Sequence, residues 1–520
     1  MQAFARLLDD LAYQPRRNGK LRLIADYFGQ APDPDRGYAL AALTGRLDIA
    51  HAKPALIRAL VEDRVDPVLF RLSYDYVGDL AETVALIWPA RPGANRAPGL
   101  AELIDDLNAT GKAQMPGRIA GLLDALDATG RWALIKLMTG AMRVGVSARL
   151  AKTGFAAFGD LDVDQVEEVW HGQKPPFDAL FAWAERRGPQ PRADTAGAFR
   201  PVMLAHPLDE ADLARFDPAD FAAEWKWDGI RVQVAAGPGR VCLWSRTGED
   251  IGRSFPDLLE RIDFAAVLDG ELLVMRDGAA GPFGDLQRRL NRKTVSAPLL
   301  RDYPVGVRLY DVLFVGDEDL RALPFADRRR RLEDFVGQGR PGFDLSELVD
   351  FASWNELAEK RLAPAPVGIE GLMLKRLDSA YLAGRPKGPW FKWKRDPHLI
   401  DAVLLYAQRG HGKRSSYYSD YTFGVWRDDE LVPVGKAYFG FTDEELAQVD
   451  KWVRQHTVNR FGPVREVTRE LVLEVAFEGV QVSKRHKSGL AMRFPRISRI
   501  RWDKPAHEAD RIETVAALAS

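Results

Sequence analysis

The chain of 520 residues contains one cysteine, Cys242. A disulfide framework or a multi-cysteine zinc site needs more thiols than that, so both are excluded within the chain, and the expected compartment is the reducing cytosol. No run of about 18 apolar residues occurs, and the opening Met-Gln-Ala-Phe-Ala-Arg-Leu-Leu-Asp-Asp lacks the basic start, apolar core and small-residue cleavage site of a leader. Neither membrane insertion nor export is expected. An excess of charge of one sign is missing too. The formal net charge is −1, which excludes a uniformly basic nucleic-acid binder and leaves any such contact to local clusters. Three clusters stand out: Arg328 to Arg331, Arg288-Arg289 with Arg292-Lys293, and Lys484-Arg485-His486-Lys487. Taken singly, each is more often a solvated face than a DNA contact. Internal repeats and low-complexity segments are absent.

What is present has the length of about three domains. The first 190 residues read as helical: Ile119, Leu122, Leu123 and Leu126 fall at i, i+3, i+4 and i+7, and Leu134, Leu137, Met138 and Ala141 repeat the spacing after Gly130. In Met142-Arg143-Val144-Gly145-Val146-Ser147, Gly145 suits a helix end and Ser147 the next N-cap. Arg186-Arg187-Gly188-Pro189-Gln190-Pro191-Arg192 is a candidate linker. From Phe199 the texture changes to short β-rich runs, Ile230 to Val234, Val241 to Trp244 and Val267 to Met275, which predict an α+β domain over 198–395. Asp396-Pro397-His398 is expected to start a hinge. Beyond it, Ala402 to Tyr406, Tyr421 to Trp426, Val432 to Val434 and Leu471 to Phe477 read as strands of a small barrel over 396–520.

The octet Glu224-Trp225-Lys226-Trp227-Asp228-Gly229-Ile230-Arg231 is the densest chemical signal. A lysine is inert while protonated, and desolvation by aromatic neighbours or proximity to another cation lowers its pKa toward nucleophilic use. Alone, the string is better described as a strand lysine packed between two tryptophans ahead of an Asp-Gly turn.

Six further strings follow in order: Ser245-Arg246-Thr247-Gly248-Glu249, Leu268-Asp269-Gly270-Glu271-Leu272, Leu309-Tyr310-Asp311-Val312-Leu313, Gly368 to Lys375, Trp390-Phe391-Lys392-Trp393-Lys394, and Arg493-Phe494-Pro495-Arg496 with Arg501-Trp502-Asp503-Lys504. With the octet they resemble the ATP-dependent DNA ligases of the covalent lysine nucleotidyltransferase superfamily, in the three-domain bacterial and archaeal form. The resemblance runs from near residue 30 almost to the C-terminus.

That resemblance implies a multidomain fold: an all-α DNA-binding domain over 1–190, an α+β adenylyltransferase domain over 198–395 and a C-terminal β-barrel OB-fold over 396–520. It implies a monomer that seals 5′-phosphate/3′-hydroxyl nicks in duplex DNA, in repair or replication, using ATP and Mg²⁺, with Mn²⁺ able to substitute. Lys226 is then the nucleophile, Glu224 meets the adenine amino group and Tyr310 stacks on the base. Arg231 and Arg246 hold ribose or phosphates and later the nick phosphate, and Glu271 meets the ribose. Glu271 and Glu370 are the metal carboxylates. Lys392 and Lys394, two apart on a strand, face the phosphates together. The basic residue usual six positions before the first of these lysines is replaced by Pro386, and either Arg385 or Lys387 takes its part. Arg501, Asp503 and Lys504 orient the pyrophosphate in the first step, or else form a rim that grips DNA throughout. Arg143, Arg149, Arg246, Arg485 and Lys487 are the expected DNA contacts. NAD-dependent ligases are disfavoured because their zinc module needs four cysteines, and RNA ligases or capping enzymes because of the helical region ahead of the core. A catalytically silent DNA-binding module would not be expected to keep every nucleotide ligand.

Overall fold

The computed structural model describes residues 1–520 apart from 48, 50–52, 78, 90, 92–95, 141, 192–196, 291, 293, 364–367, 410–416, 439, 484–485 and 519–520. Ala141, Lys293 and Arg485 therefore lie outside the described residues. The chain divides into two compact units, one of Met1–Val166, Gln173–Pro191 and Pro397–Ala519, the other of Glu167–Gly172 and Arg192–Asp396.

In the first unit the N-terminal region is helical, from Gln2–Tyr13 to Asp178–Ala184. Its ends follow local chemistry. The helix Ala128–Thr139 opens on Asp127, whose carboxylate accepts from the Gly130 N–H at 2.7 Å, and closes on Gly140 at φ +67°. The next helix, Ala148–Gly159, has Ser147 as its N-cap, accepting from Leu150 N–H at 3.2 Å. The expected helix end at Gly145 is thus displaced to Gly140; Gly145, at φ +67°, lies in the connecting turn, where Lys20 Nζ donates to its carbonyl at 2.8 Å. Leu122, Leu123, Leu134, Leu137 and Met138 are buried, as their spacing predicts.

The second unit holds two sheets. We label its principal strands β1 (Phe221–Trp227), β2 (Ile230–Gly237), β3 (Arg240–Ser245), β4 (Ala266–Arg276), β5 (Val305–Val315), β6 (Ile369–Arg376) and β7 (Trp390–Lys394). The smaller sheet runs β7–β6–β1, with the short strand His206–Pro207 beyond β7; the larger runs β3–β2–β4–β5 with short strands at its margin. β1 and β2 are consecutive in the chain yet belong to different sheets.

The arginine run at 328–331 is neither a solvated face nor a DNA contact along its whole length. It lies on the helix Phe325–Val336, where Arg328 and Arg329 are buried while Arg330 and Arg331 pair with Asp327 and Glu318. Arg289, in the second cluster, is likewise fully buried and bound to Asp257. Helical periodicity turns part of any charge run inward, and these guanidinium groups enter because carboxylates and carbonyls meet them there.

The C-terminal region of the first unit is a curled sheet built on the long strand β8 (His398–Arg409). β8 pairs with β9 (Tyr418–Arg427) and with β11 (Val472–Phe477); β9 pairs with β10 (Glu430–Ala437), and β11 with β12 (Arg496–Arg501). Its core joins Leu404, Phe423, Val425, Leu473, Val475 and Phe477 to Val449 and Val453 of the helix Asp443–Gln455. Among the described residues no helix is long and apolar enough to cross a membrane.

Candidate active site

Lys226 stands near the end of β1, and Asp228-Gly229 carries the chain across to the second sheet. A side chain at Gly229 would bring a Cβ to 2.4 Å from the Leu272 carbonyl and 2.9 Å from Glu271 Cγ, so the crossing demands glycine. The Asp228 N–H donates to Gly368 O at 2.7 Å and secures it.

Strand register then assembles the site. Lys226 pairs with Gly371 and Gly371 with Lys394; Glu224 pairs with Met373 and Met373 with Lys392. Residues in register share a face, so Lys226, Lys394, Glu224 and Lys392 project to the same side. The register of β6 on β1 breaks between Ile369 and Gly371. This bulge places Glu370 on the same side, where Lys226 Nζ donates to Oε1 and Lys394 Nζ lies 3.2 Å from Oε2. Against burial, which pushes it up, the charges of Lys226 and Lys394 hold the Glu370 carboxyl below its usual range. Gly371 is required too, since a Cβ there would lie 2.4 Å from the Trp393 carbonyl.

The expected aromatic sandwich around Lys226 does not form. Trp225 packs with Phe221, Ala223 and Phe391 on the opposite face, and Trp227 donates to Ser346 Oγ at 3.1 Å beneath the Arg308 guanidinium. Adjacent strand residues point to opposite faces, so neighbours in sequence are not neighbours in space. The groups around Lys226 are a carboxylate and other cations.

From the larger sheet, Arg231 of β2 pairs in register with Glu271 of β4. Arg231 is not a free phosphate ligand. Its Nε and Nη2 donate to the two oxygens of Asp269 at 3.0 and 2.5 Å, Nη2 also meets Tyr381 Oη at 3.2 Å, and Nη1 donates to Met203 O at 2.6 Å. Asp269, wholly buried, also accepts from Tyr381 Oη at 2.7 Å and Tyr310 Oη at 3.3 Å. Sequence reasoning gave no role to Asp269, although it lies within the Leu268–Leu272 string, nor to Tyr381; the available signal was an aspartate two residues from Glu271 within an apolar strand. It also passed over Lys375, whose Nζ donates to Glu224 Oε1 at 3.0 Å and to the Tyr310 carbonyl at 2.8 Å, joining the two residues expected at the base. Arg329 Nη1 lies 3.6 Å from the same Glu224 oxygen.

Several cations act on one another here. Burial, then the charges of Arg385, Lys394, Lys226 and Arg246, push the Lys392 ammonium down. Burial, then Arg231 and Arg385, do the same to Arg246. Mutual repulsion of this kind is relieved when a polyanion binds. It also favours Arg385 over Lys387 as the additional basic group, since Arg385 acts on both Lys392 and Arg246. Glu271 moves the other way: burial first, with Glu370 and Asp269 adding to it, raises its carboxyl to about 8 against the lowering charges of Lys226 and Arg231. Two carboxylates so placed fit a hard divalent cation. Among the described residues no three His, Cys, Asp or Glu side chains group as a metal site, so waters and phosphate oxygens would complete such a shell.

A pH effect follows. A carboxyl whose folded pKa exceeds its unfolded value binds its proton more tightly in the folded state, so stability falls as pH rises from about 4.5 through about 8. In EDTA, Glu271→Gln is expected to flatten this decline and to be more stable than the parent protein at pH 8.5 by roughly 2 kcal/mol. Each unit is worth about 1.4 kcal/mol, and water reaching the partly shielded carboxylate reduces the total. Melting curves at pH 5.5 and 8.5 check it; a variant with the parent's pH slope would refute the assignment.

Arg143, exposed at φ +46°, and Arg149, bonded to Asp164 at 3.0 Å, lie in the helical region, and Lys487 is exposed in the C-terminal region. Arg501 ends β12 with both edges of its guanidinium occupied by Asp401 and Asp503.

A lysine at a sheet crossing thus faces strand lysines and two acidic groups within a cluster of cations, an arrangement suited to a phosphate-bearing substrate. Family comparison specifies it further: residues 202–394 match the ATP dependent DNA ligase domain and residues 414–504 the ATP dependent DNA ligase C terminal region. The chain is 32% identical over 553 aligned positions to a probable DNA ligase of Koribacter versatilis (strain Ellin345), covering 99% of this chain and 95% of that one. It is 30% identical over 545 positions to DNA ligase 1 of Korarchaeum cryptofilum (strain OPF8), covering 100% and 98%. The solved structure described as Pmar-Lig_PreS3 aligns with TM-score 0.60 over 96% of this chain and 99% of that one at 16% identity, a likeness of fold: a helical N-terminal region, an α/β core and a C-terminal sheet half-barrel. The chain belongs to the ATP-dependent DNA ligases.

Proposed function

We propose that this protein seals 5′-phosphate/3′-hydroxyl nicks in duplex DNA with ATP, and that Lys226 carries the adenylyl group. The observation that carries the assignment is the face shared by Lys226, Lys392, Lys394 and Glu370, assembled by the register of β1, β6 and β7. Lys226 Nζ attacks the α-phosphorus of ATP, forming an N–P bond as the bond to pyrophosphate breaks. An oxygen of the nick 5′-phosphate then takes the adenylyl group from Nζ, and the 3′-hydroxyl attacks that 5′-phosphorus and expels AMP. All three are in-line displacements that need alignment and neutralised charge.

Lys392, Lys394, Arg246 and Arg385 supply the neutralising charge. Glu224 and Tyr310 meet adenine, while Arg231, clamped by Asp269, holds Tyr310 and the ribose side of the pocket. Glu271 and Glu370 would hold Mg²⁺, which supplies Lewis-acid neutralisation of phosphate oxygens. Glu370 must leave Lys226 before the amine can act. The helical region, with Arg143 and Arg149, grips DNA; the C-terminal region is an OB-fold whose Lys487 contacts DNA and whose Arg501-Trp502-Asp503-Lys504 segment serves the first step. The protein works as a cytoplasmic monomer.

The test is sealing of a labelled nicked duplex in Mg²⁺ with ATP or NAD supplied separately. Ligated product is expected with ATP at least about a hundredfold faster than with NAD, because NAD carries a nicotinamide nucleotide where ATP carries its leaving pyrophosphate. Sealing with NAD alone, or none with ATP, would refute the proposal.

A further inference from the structure

Within the C-terminal region, Arg501, Asp503 and Lys504 are not independent side chains. Arg501 Nη1 donates to Asp401 Oδ2 and Oδ1 at 3.0 and 3.3 Å, and Lys504 Nζ donates to Asp401 Oδ2 at 2.8 Å. The other edge of the same guanidinium, Nε and Nη2, donates to Asp503 Oδ1 and Oδ2, both at 3.0 Å. Exposure orders the cluster: side chains of Asp401, Arg501 and Lys504 are 13%, 19% and 22% exposed, whereas Asp503 is 69% exposed. The shielded end is anchored. Asp401 sits on β8, in register with Glu474 of β11, and β11 pairs Val472 with Arg501 of β12. The Asp401 N–H donates to Asp510 Oδ2 at 2.7 Å, and the Asp510 N–H returns to the Asp401 carbonyl at 2.8 Å.

We propose that Asp401 is a positioning residue for the first step: it fixes Arg501 and Lys504, and through Arg501 it presents the Asp503 carboxylate to solvent in one orientation. The inference rests on the assignment of Arg501-Trp502-Asp503-Lys504 to that step. It revises the part of Arg501 from a nucleotide contact to a support, because a planar guanidinium with carboxylates on both edges has little left for a phosphate. Asp401 lies a hundred residues before Arg501 and belongs to none of the recognised strings. Nothing but the strand pairing brings it to the cluster.

The experiment measures two rates on the full-length protein: self-adenylylation by ATP and Mg²⁺, and sealing of a nick already carrying 5′-adenylate. Asp401→Asn is expected to slow self-adenylylation at least about tenfold while sealing of the pre-adenylylated nick stays within about threefold of the parent. Asp401→Glu, which keeps the charge, is expected to recover part of the loss. In a double-mutant cycle, Asp401→Asn with Arg501→Met should lose clearly less than the product of the two single losses, because the part of Asp401 that acts through Arg501 is already gone in Arg501→Met. Unchanged self-adenylylation in Asp401→Asn, equal loss of both reactions, or multiplicative losses in the cycle would overturn the proposal. Asp503→Ala separates it from its premise. If Asp503→Ala lowers neither rate or both alike, the first-step assignment itself fails; if it shows the split and Asp401→Asn does not, only the part given to Asp401 fails. Should Asp401→Asn not fold by circular dichroism, Asp401→Glu and Lys504→Met carry the same comparison, with the same split expected of Lys504→Met.

Discussion

Lys226→Ala is expected to abolish formation of the AMP adduct and to lower nick sealing from ATP by a factor on the order of 10⁶, the scale on which removing a covalent nucleophile acts. Intact-mass measurement after incubation with ATP and Mg²⁺ should show one AMP on the parent protein, on the peptide spanning Glu224–Arg231, and none on the variant. Lys226→Arg should be equally inactive although it can keep the ion pair to Glu370, since a guanidinium remains protonated and offers no lone pair to phosphorus. The same variants should still seal a pre-adenylylated nick, because the last displacement uses the 3′-hydroxyl and not Nζ. An adduct retained in Lys226→Ala would dismiss this lysine, and with it the part assigned to the face it shares with Lys392 and Lys394.

The largest loss of stability is expected from a fully buried ion pair. Asp311 and Arg328 are 1% and 0% exposed and meet through two bonds, Nε to Oδ1 at 2.8 Å and Nη2 to Oδ2 at 2.9 Å. Arg328 Nη1 is further bound to the carbonyls of Leu323 and Ser379 at 2.6 and 2.9 Å, so the guanidinium cannot withdraw to water without unpicking three segments. Asp311→Ala strands a buried cation and should destabilise the second unit by about 3–5 kcal/mol. For a unit of this size that lowers its melting temperature by roughly 10 °C. Replacing both partners, Asp311→Leu with Arg328→Met, should cost less than Asp311→Ala alone, because no charge is left unpaired. Melting followed by circular dichroism decides the matter, and a shift under about 2 °C for Asp311→Ala would show that water reaches this pair after all.

Much of the site's chemistry was legible in linear order, and some of its geometry was not. Lys392 and Lys394 face one side because strand residues alternate, and Ser147 caps its helix because a hydroxyl before a helical run can accept the N–H three residues on. Such statements need only neighbouring residues. The tryptophans beside Lys226 misled for the same reason: they are adjacent in sequence and therefore on the other face. Glu370 stands 144 residues from Lys226, and its reach depends on a bulge that shifts one strand against another.

The sequence by itself determined the order of the reacting groups, the helical and strand-rich regions, and the family to which they belong, since all are written in short strings and local periodicity. Only the tertiary structure decided that Arg231 is clamped by Asp269, that Arg328 and Arg329 turn inward, and that Asp401 holds Arg501. The physical reason is common to all three. Where a charged side chain goes depends on which oppositely charged group meets it and how much water is excluded, and both are set by strand pairings and packing between segments far apart in the chain.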